Sequence, residues 1–244
     1  MKHSFLFLLS AFIGITSAQA QDTTSFWAKR QRFYDNMDHF GYLGAGYQYT
    51  QYMDFTNQPS VLGNDFSLNG NAFTLSGTGY SICHRLLFGG EFGGSVSNPS
   101  PDARKVSGHV SQLFGYFNFG YLVVYTEKTM LYPYIGIGGA YIGLTMRNKT
   151  NTDMVFDNFT IQAGERGNFS AGGVGLQAGV GFKKSMFKCE KGYALMLGLD
   201  LGVRFMPYKS NWYYDGNSRK VNDFGFADNT GYYAKLTIGR GVHK

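Results

Sequence analysis

The sequence predicts an all-β chain whose eight antiparallel strands run as an up-and-down meander and close into a transmembrane β-barrel. Three observations predict it. Apolar residues alternate with small or polar ones over stretches of about ten to thirteen residues, the length a tilted membrane strand needs. The chain carries 34 Gly, 22 Phe and 18 Tyr but only 16% charged residues, a composition that suits a narrow barrel with little room inside. The connections alternate long and short along the chain, as they do when long loops lie on one face of a membrane and tight turns on the other.

The first twenty residues read as a cleaved secretory signal: Lys2 and His3, an apolar run over 5–15, then Ala18-Gln19-Ala20. The run is too short to span a bilayer as a helix. No Cys follows the cleavage point, so no lipid anchor is expected. Residues 21–40 form a periplasmic lead-in. Within it Phe26, Trp27, Arg30, Phe33, Tyr34 and Met37 recur at helical spacing, with Thr24 or Ser25 as a cap. Residues 25–37 are thus either a short amphipathic helix that docks on lipid, closes the barrel mouth or binds an envelope protein, or simply an ordered lead-in.

Residues 41–244 form the barrel, with strands expected at 41–52, 71–82, 86–97, 109–121, 131–146, 170–182, 193–206 and 231–240. The third sets Leu86, Phe88, Phe92 and Val96 against Leu87, Gly89, Glu91, Gly93 and Ser95. The sixth opposes Val174, Leu176, Ala178, Val180 and Phe182 to Gly173, Gly175, Gln177, Gly179 and Gly181. In the seventh, Leu195, Leu197, Leu199, Leu201 and Val203 share the face opposite Asp200 and Arg204. The fifth is ambiguous, because both of its faces are apolar. Tyr47, Tyr49, Tyr121, Tyr193, Phe205 and Tyr232 fall near strand ends, as an aromatic girdle would. A soluble sandwich or lipocalin has no need of such a girdle.

The connections expected on the outside are 53–70, 98–108, 147–169 and 207–230; those on the periplasmic side are 83–85, 122–130 and 183–192. The net charge of +6 concentrates on the periplasmic side, chiefly at Arg85, Lys183, Lys184, Lys188, Lys191, Arg240 and Lys244. No basic patch is interleaved with stacking aromatics, so nucleic acid is not an expected partner. The expected partners are outer-membrane lipid and lipopolysaccharide, together with an envelope protein met through 25–37 or the outer loops. No cofactor and no metal-ligand spacing is evident.

The Gly-rich aromatic strands and the tail Asn229-Thr230-Gly231-Tyr232-Tyr233-Ala234-Lys235-Leu236 resemble the OmpA/OmpX-type superfamily of small outer-membrane β-barrels. The segment Leu131-Tyr132-Pro133-Tyr134-Ile135-Gly136-Ile137-Gly138-Gly139 is similar to Bacteroidetes-like barrels of that kind. The resemblance implies fold and location in a bacterial outer membrane with periplasmic termini. It implies no single activity.

Strand parity turns Glu91, Asp200, Arg204 and Lys235 into the lumen, with Gln112, Asn118, Gln177, Phe114 and Tyr116. Unpaired buried charges are costly, so these residues are expected to pair, first Asp200 with Lys235. The set is either a gate in a narrow solute-permeable pore or a staple that seals the interior. His109 and Ser111 share an outward face. Their spacing resembles the His-x-Ser element of lipid A 3-O-deacylase barrels, in which His activates Ser for ester hydrolysis; Gln112 stands where that family carries Asn. Cys83 and Cys189 are either a disulfide across the periplasmic mouth or two free thiols. Trp212, Tyr213 and Tyr214 are expected as surface-loop aromatics, suited to a binding surface or to the girdle. The function expected from these residues is non-enzymatic: envelope integrity, adhesion or partner binding through the outer loops. The pore and an esterase using His109 and Ser111 are the alternatives.

Overall fold

The computed structural model describes residues 38–53, 70–97, 105–126, 128–156, 159–188, 193–208, 210–214 and 219–242. The expected signal sequence, the 25–37 segment and Cys189 lie outside the described residues. No helix among the described residues is long and apolar enough to cross a membrane.

The strands, in chain order, are β1 (Asp38–Met53), β2 (Gly70–Cys83), β3 (Leu86–Ser97), β4 (Val106–Tyr121), β5 (Val124–Tyr125), β6 (Thr129–Asn148), β7 (Met154–Val155), β8 (Thr160–Ile161), β9 (Arg166–Lys188), β10 (Tyr193–Phe205), β11 (Ser210–Tyr214) and β12 (Arg219–Val242). Eight of them, β1, β2, β3, β4, β6, β9, β10 and β12, form a ring of antiparallel neighbours that closes where β12 pairs with β1. Closure leaves no strand edge with unpaired amides, the condition for a sheet in hydrocarbon. The fold is an eight-stranded antiparallel β-barrel.

The period-two pattern explains which side chain goes where. Outward positions carry a belt of exposed apolar residues, among them Leu43, Leu75, Phe92, Phe117, Ile137 and Val180. Inward positions alternate large rings with glycines. Gly175, Gly179 and Gly181 of β9 face Tyr116, Tyr134 and Tyr132 so closely that a Cβ would lie 2.3–2.9 Å from the nearest tyrosine side-chain atom. The high glycine content therefore has a steric cause: a narrow lumen accommodates a tyrosine only where the opposing position has no side chain.

Several strands outrun their expected bounds. β9 continues to Lys188 because Lys183 keeps the inward parity of Gly175–Gly181 and is wholly buried; the charges of 183–188 read as a turn, yet most of that turn is strand. Lys183 is thus a lumen residue and not a periplasmic surface charge. β12 begins at Arg219, twelve residues before the expected 231, because β11 folds back on it and takes the place of β10 between β9 and β12. The connection between β6 and β9 likewise contains the two-stranded β7–β8 sheet.

The ambiguity of the fifth strand has a physical resolution in β6. Even-numbered residues point inward throughout. Met130, Tyr132 and Tyr134 join an apolar cluster with Phe40, Tyr42, Tyr80, Ile82, Leu87, Leu122 and Met196 at the end where β1 begins and β12 ends. Ile142, Leu144 and Met146 join a second cluster at the opposite, loop-bearing end. Both faces of this strand are apolar because one meets the belt and the other feeds two interior caps.

At the end where β1 begins and β12 ends, β2 and β3 meet in a two-residue turn, His84-Arg85, with Cys83 paired to Leu86. His84 has a positive φ of 59°, as the first central residue of a primed hairpin turn requires. Cys83 carries a free thiol with His84 Nδ1 3.3 Å from its Sγ.

Candidate functional site: a sealed lumen and its outer rim

The middle of the lumen is polar. Glu91 on β3 receives Lys235 Nζ at 2.5 Å and Arg204 at 3.0 Å through the same Oε1. Lys183 Nζ donates to Asp200 Oδ1 and to Thr237 Oγ1, both at 2.7 Å. All five charged groups are buried. Asp200 and Lys235 are register partners across β10 and β12, but they do not pair as expected. Lys183, placed outside the lumen by the sequence reading, takes Asp200, and Lys235 reaches across the barrel to Glu91. The signal for Lys183 was present in the parity of β9, one step beyond the point where the apolar pattern stops.

Amides complete the network. Arg204 donates to Gln48 Oε1 at 2.9 Å and to Gln177 Oε1 at 3.3 Å. Gln177 Nε2 donates to Asn118 Oδ1 at 2.6 Å, and Asn118 Nδ2 to the Tyr80 hydroxyl at 3.2 Å. Gln48 donates to Gln112 Oε1 at 2.7 Å. Three cations share two acids here, and aromatic faces offset the excess. Arg204 Cζ lies 3.8 Å from the Phe114 centroid and 4.6 Å from that of Tyr233, with Lys235 Nζ 4.9 Å from the latter. Ring quadrupoles attract cations at such distances.

Apolar caps close this layer at both ends. At the loop-bearing end, Trp212, Tyr52, Phe169, Met206 and Val221 pack with Met154, Phe156 and Ile161 from the β7–β8 connection. Asn148 fastens that connection: its Nδ2 donates to the carbonyls of Thr152 and Ile161 at 2.9 and 3.2 Å, and its Oδ1 accepts the Thr150 N–H at 2.9 Å. The expectation that Trp212, Tyr213 and Tyr214 are surface-loop aromatics is corrected for Trp212, which is fully buried. The reason is the parity of β11: Trp212 points into the barrel, while Tyr213 and Tyr214 remain half-buried. Phe159 stacks between Phe156 and Tyr214, with ring centroids 4.4 and 4.6 Å apart, so Tyr214 belongs to the rim of the cap.

His109 and Ser111 stand on the outward face of β4, both exposed. Across the sheet His109 faces Thr145 and Ser111 faces Gly143 on β6, which in turn face Asn168 and Ser170 on β9. Thr145 Oγ1 donates to Asn168 Oδ1 at 3.0 Å. These two residues are therefore part of a polar outer strip and are not joined to the lumen cluster. Among the described residues no cluster of His, Cys, Asp and Glu could hold a metal ion.

No protein-family model matches the sequence, and no curated protein is similar to it. Solved structures similar to it in fold include Ail, the attachment invasion locus protein of Yersinia pestis, at 10% identity, covering 84% of this chain and 99% of that one with a TM-score of 0.46. A major outer membrane protein from Thermus thermophilus is 15% identical over 84% and 98% of the two chains, with a TM-score of 0.45. Neisserial surface protein A is 9% identical over 84% and 96%, with a TM-score of 0.38. A closed ring of eight antiparallel strands, apolar outside and filled inside, is the fold of the small outer-membrane β-barrels.

Proposed function

We propose that the protein is a non-conducting outer-membrane barrel that acts through its outer surface, in envelope integrity, adhesion or partner binding. One observation carries the reading: the lumen is occupied along its length, by an ion-paired layer in the middle and an apolar cap at each end. A conducting pore needs a hydrated path. Here Phe114, Tyr116, Tyr132 and Trp212 take that space, all of them buried. The loop-bearing end faces the outside in this reading, and the termini lie in the periplasm. The unequal reach of the strands supports this orientation: β6, β9 and β12 are 20, 23 and 24 residues long, well beyond the roughly 9–11 that span hydrocarbon.

The test is single-channel recording of refolded, demonstrably inserted protein in planar bilayers. The expected result is silence, both for the wild type and for Lys235→Ala. A steady conductance that shifts in Lys235→Ala would overturn the reading and make the lumen a pathway. The esterase alternative has its own measurement: mass spectrometry of lipid A from expressing cells, with an active deacylase as control, is expected to show unchanged acylation.

A further inference from the structure

The outer face of the barrel is not apolar all the way up. On the adjoining strands β4, β6 and β9, register aligns four rows of outward residues. The lowest, Leu113 with Tyr141 and Gly172, is the upper edge of the apolar belt. Above it come Ser111 with Gly143 and Ser170, then His109 with Thr145 and Asn168. The top row is Ser107 with Arg147 and Arg166. Six residues along a strand cover about 20 Å; at a tilt of about 40° the arginines stand roughly 15 Å above the hydrocarbon edge.

Arg147 and Arg166 are direct cross-strand partners. Side chains so placed have Cβ atoms about 5 Å apart, and like charges there repel. Both are exposed, and among the described residues neither is ion-paired. Among the described residues the Arg147 side chain donates only to the Gly164 carbonyl, at 3.4 Å. Lys105 and Lys149 lie beside them, joined by the backbone bond from Lys149 N to Lys105 O at 2.8 Å. Two carboxylates are near: Asp153, whose Oδ1 accepts the Ala163 N–H at 3.0 Å, and Glu165, next to Arg166 in the chain. Neither is ion-paired to an arginine among the described residues. Arg147 and Lys149 also line a shallow pocket of about 410 Å³ with Ser107, Asn148, Thr150 and Gly164.

We propose that this strip binds the phosphorylated sugar headgroup of an outer-leaflet glycolipid, lipopolysaccharide. Its acyl chains lie on the belt below Leu113 and Tyr141. Its sugar hydroxyls meet Ser111, His109, Thr145, Asn168 and Ser170, and its phosphate is held between Arg147 and Arg166. Two facing guanidiniums offer forked donors that match phosphate oxygens, and the bound anion removes their mutual repulsion. The height fits a headgroup, since the charge begins only where the apolar belt has ended. His109 and Ser111 thereby become contact residues for the lipid. The inference deepens the proposed surface role and rests on it for which leaflet the strip meets, but not for its chemistry.

The experiment titrates purified rough-type lipopolysaccharide into the refolded full-length protein in detergent, following affinity and thermal midpoint. Parallel arms use the same lipopolysaccharide stripped of phosphate, and inorganic phosphate alone. Wild type is expected to bind the intact lipid at least about tenfold more tightly than the stripped lipid, with inorganic phosphate protecting only at far higher concentration. Arg147→Gln/Arg166→Gln is expected to lose about tenfold for the intact lipid and nothing for the stripped one. Lys184→Gln, outward at the opposite end, serves as the charge control and is expected to bind like wild type. Without lipid, the double variant is expected to melt no lower than wild type, because it removes a repulsion; a merely structural role would lower its melting point. Equal binding of intact and stripped lipid by wild type would overturn the proposal, as would undiminished binding by the double variant. Protection by inorganic phosphate at the same concentration as lipid would also overturn it, in favour of a free-anion site. Should the double variant not fold, Arg147→Lys/Arg166→Lys keeps the charge but loses the fork, and a loss of about threefold with the intact lipid is the expected result; no loss overturns the proposal. Silent bilayers with failed lipid binding would remove this inference alone, whereas conducting bilayers would remove the sealed-barrel reading alone.

Discussion

Arginine occurs in two contrasting settings in this barrel. In the lumen, Arg204 has Glu91 at 3.0 Å, Gln48 at 2.9 Å and the Phe114 ring 3.8 Å from its centre. On the rim, Arg147 faces Arg166 across the sheet, and its side chain donates to one carbonyl among the described residues. The first is satisfied by its own protein, from strands remote in sequence. The second is left with like charge beside it. A buried ion must be compensated internally because no solvent can do so. An exposed ion stays uncompensated at little cost, so a repelling pair there is available to a ligand. The interior network accordingly fills the lumen, and the rim is where the proposed recognition lies.

The largest expected effect lies inside. Glu91→Gln leaves Arg204 and Lys235 without their shared carboxylate, and breaking such a buried pair costs about 3–5 kcal/mol. Urea unfolding of the inserted barrel, followed by tryptophan fluorescence or gel mobility of unheated protein, measures it. A loss below about 1 kcal/mol would mean that water already reaches the layer, and the sealed lumen would be wrong. The companion Glu91→Leu/Lys235→Met/Arg204→Met removes the carboxylate and both of its cations and is expected to recover much of that loss.

Glycines sharpen the same contrast at smaller scale. Gly181→Ala puts a Cβ 2.3 Å from the buried Tyr132 ring, and overpacking of this kind costs about 1–3 kcal/mol. At Gly79, on the outward face of β2, nothing lies within 4 Å of a new Cβ. Gly79→Ala is therefore expected to stabilise by about 0.5–1 kcal/mol, since alanine loses less backbone freedom on folding. Equal effects at the two positions would show that the inside is not packed more tightly than the outside. The smallest effect is that of Arg147→Gln without lipid, a gain of a few tenths of a kcal/mol as one cross-strand repulsion disappears. That gain should shrink as salt is raised, because the charges are exposed.

Much of the barrel was legible in the residues. Period-two patterning distinguishes the two faces locally, so the inward positions of Glu91, Asn118, Gln177 and Arg204 follow from their immediate neighbours. The turn at His84-Arg85 was legible for the same reason. Strand ends were harder. Lys183 and Lys184 read as a turn because charge usually marks solvent, whereas Lys183 is buried against Asp200 and Thr237. Trp212 read as a loop aromatic because its flanks are polar, yet it closes the loop-bearing cap.

By itself, then, the sequence determined that this chain is a membrane-type barrel of eight strands and which face points outward in every strand but the fifth, because alternation is a property of adjacent residues. Only the tertiary structure decided who pairs with whom. Lys235 reaches Glu91 from a position 144 residues away along the chain, and Arg147 stands against Arg166 because β6 and β9 are aligned in one register and not another. Those partnerships depend on ring closure and strand stagger, which belong to the whole barrel and are written in no single stretch of it.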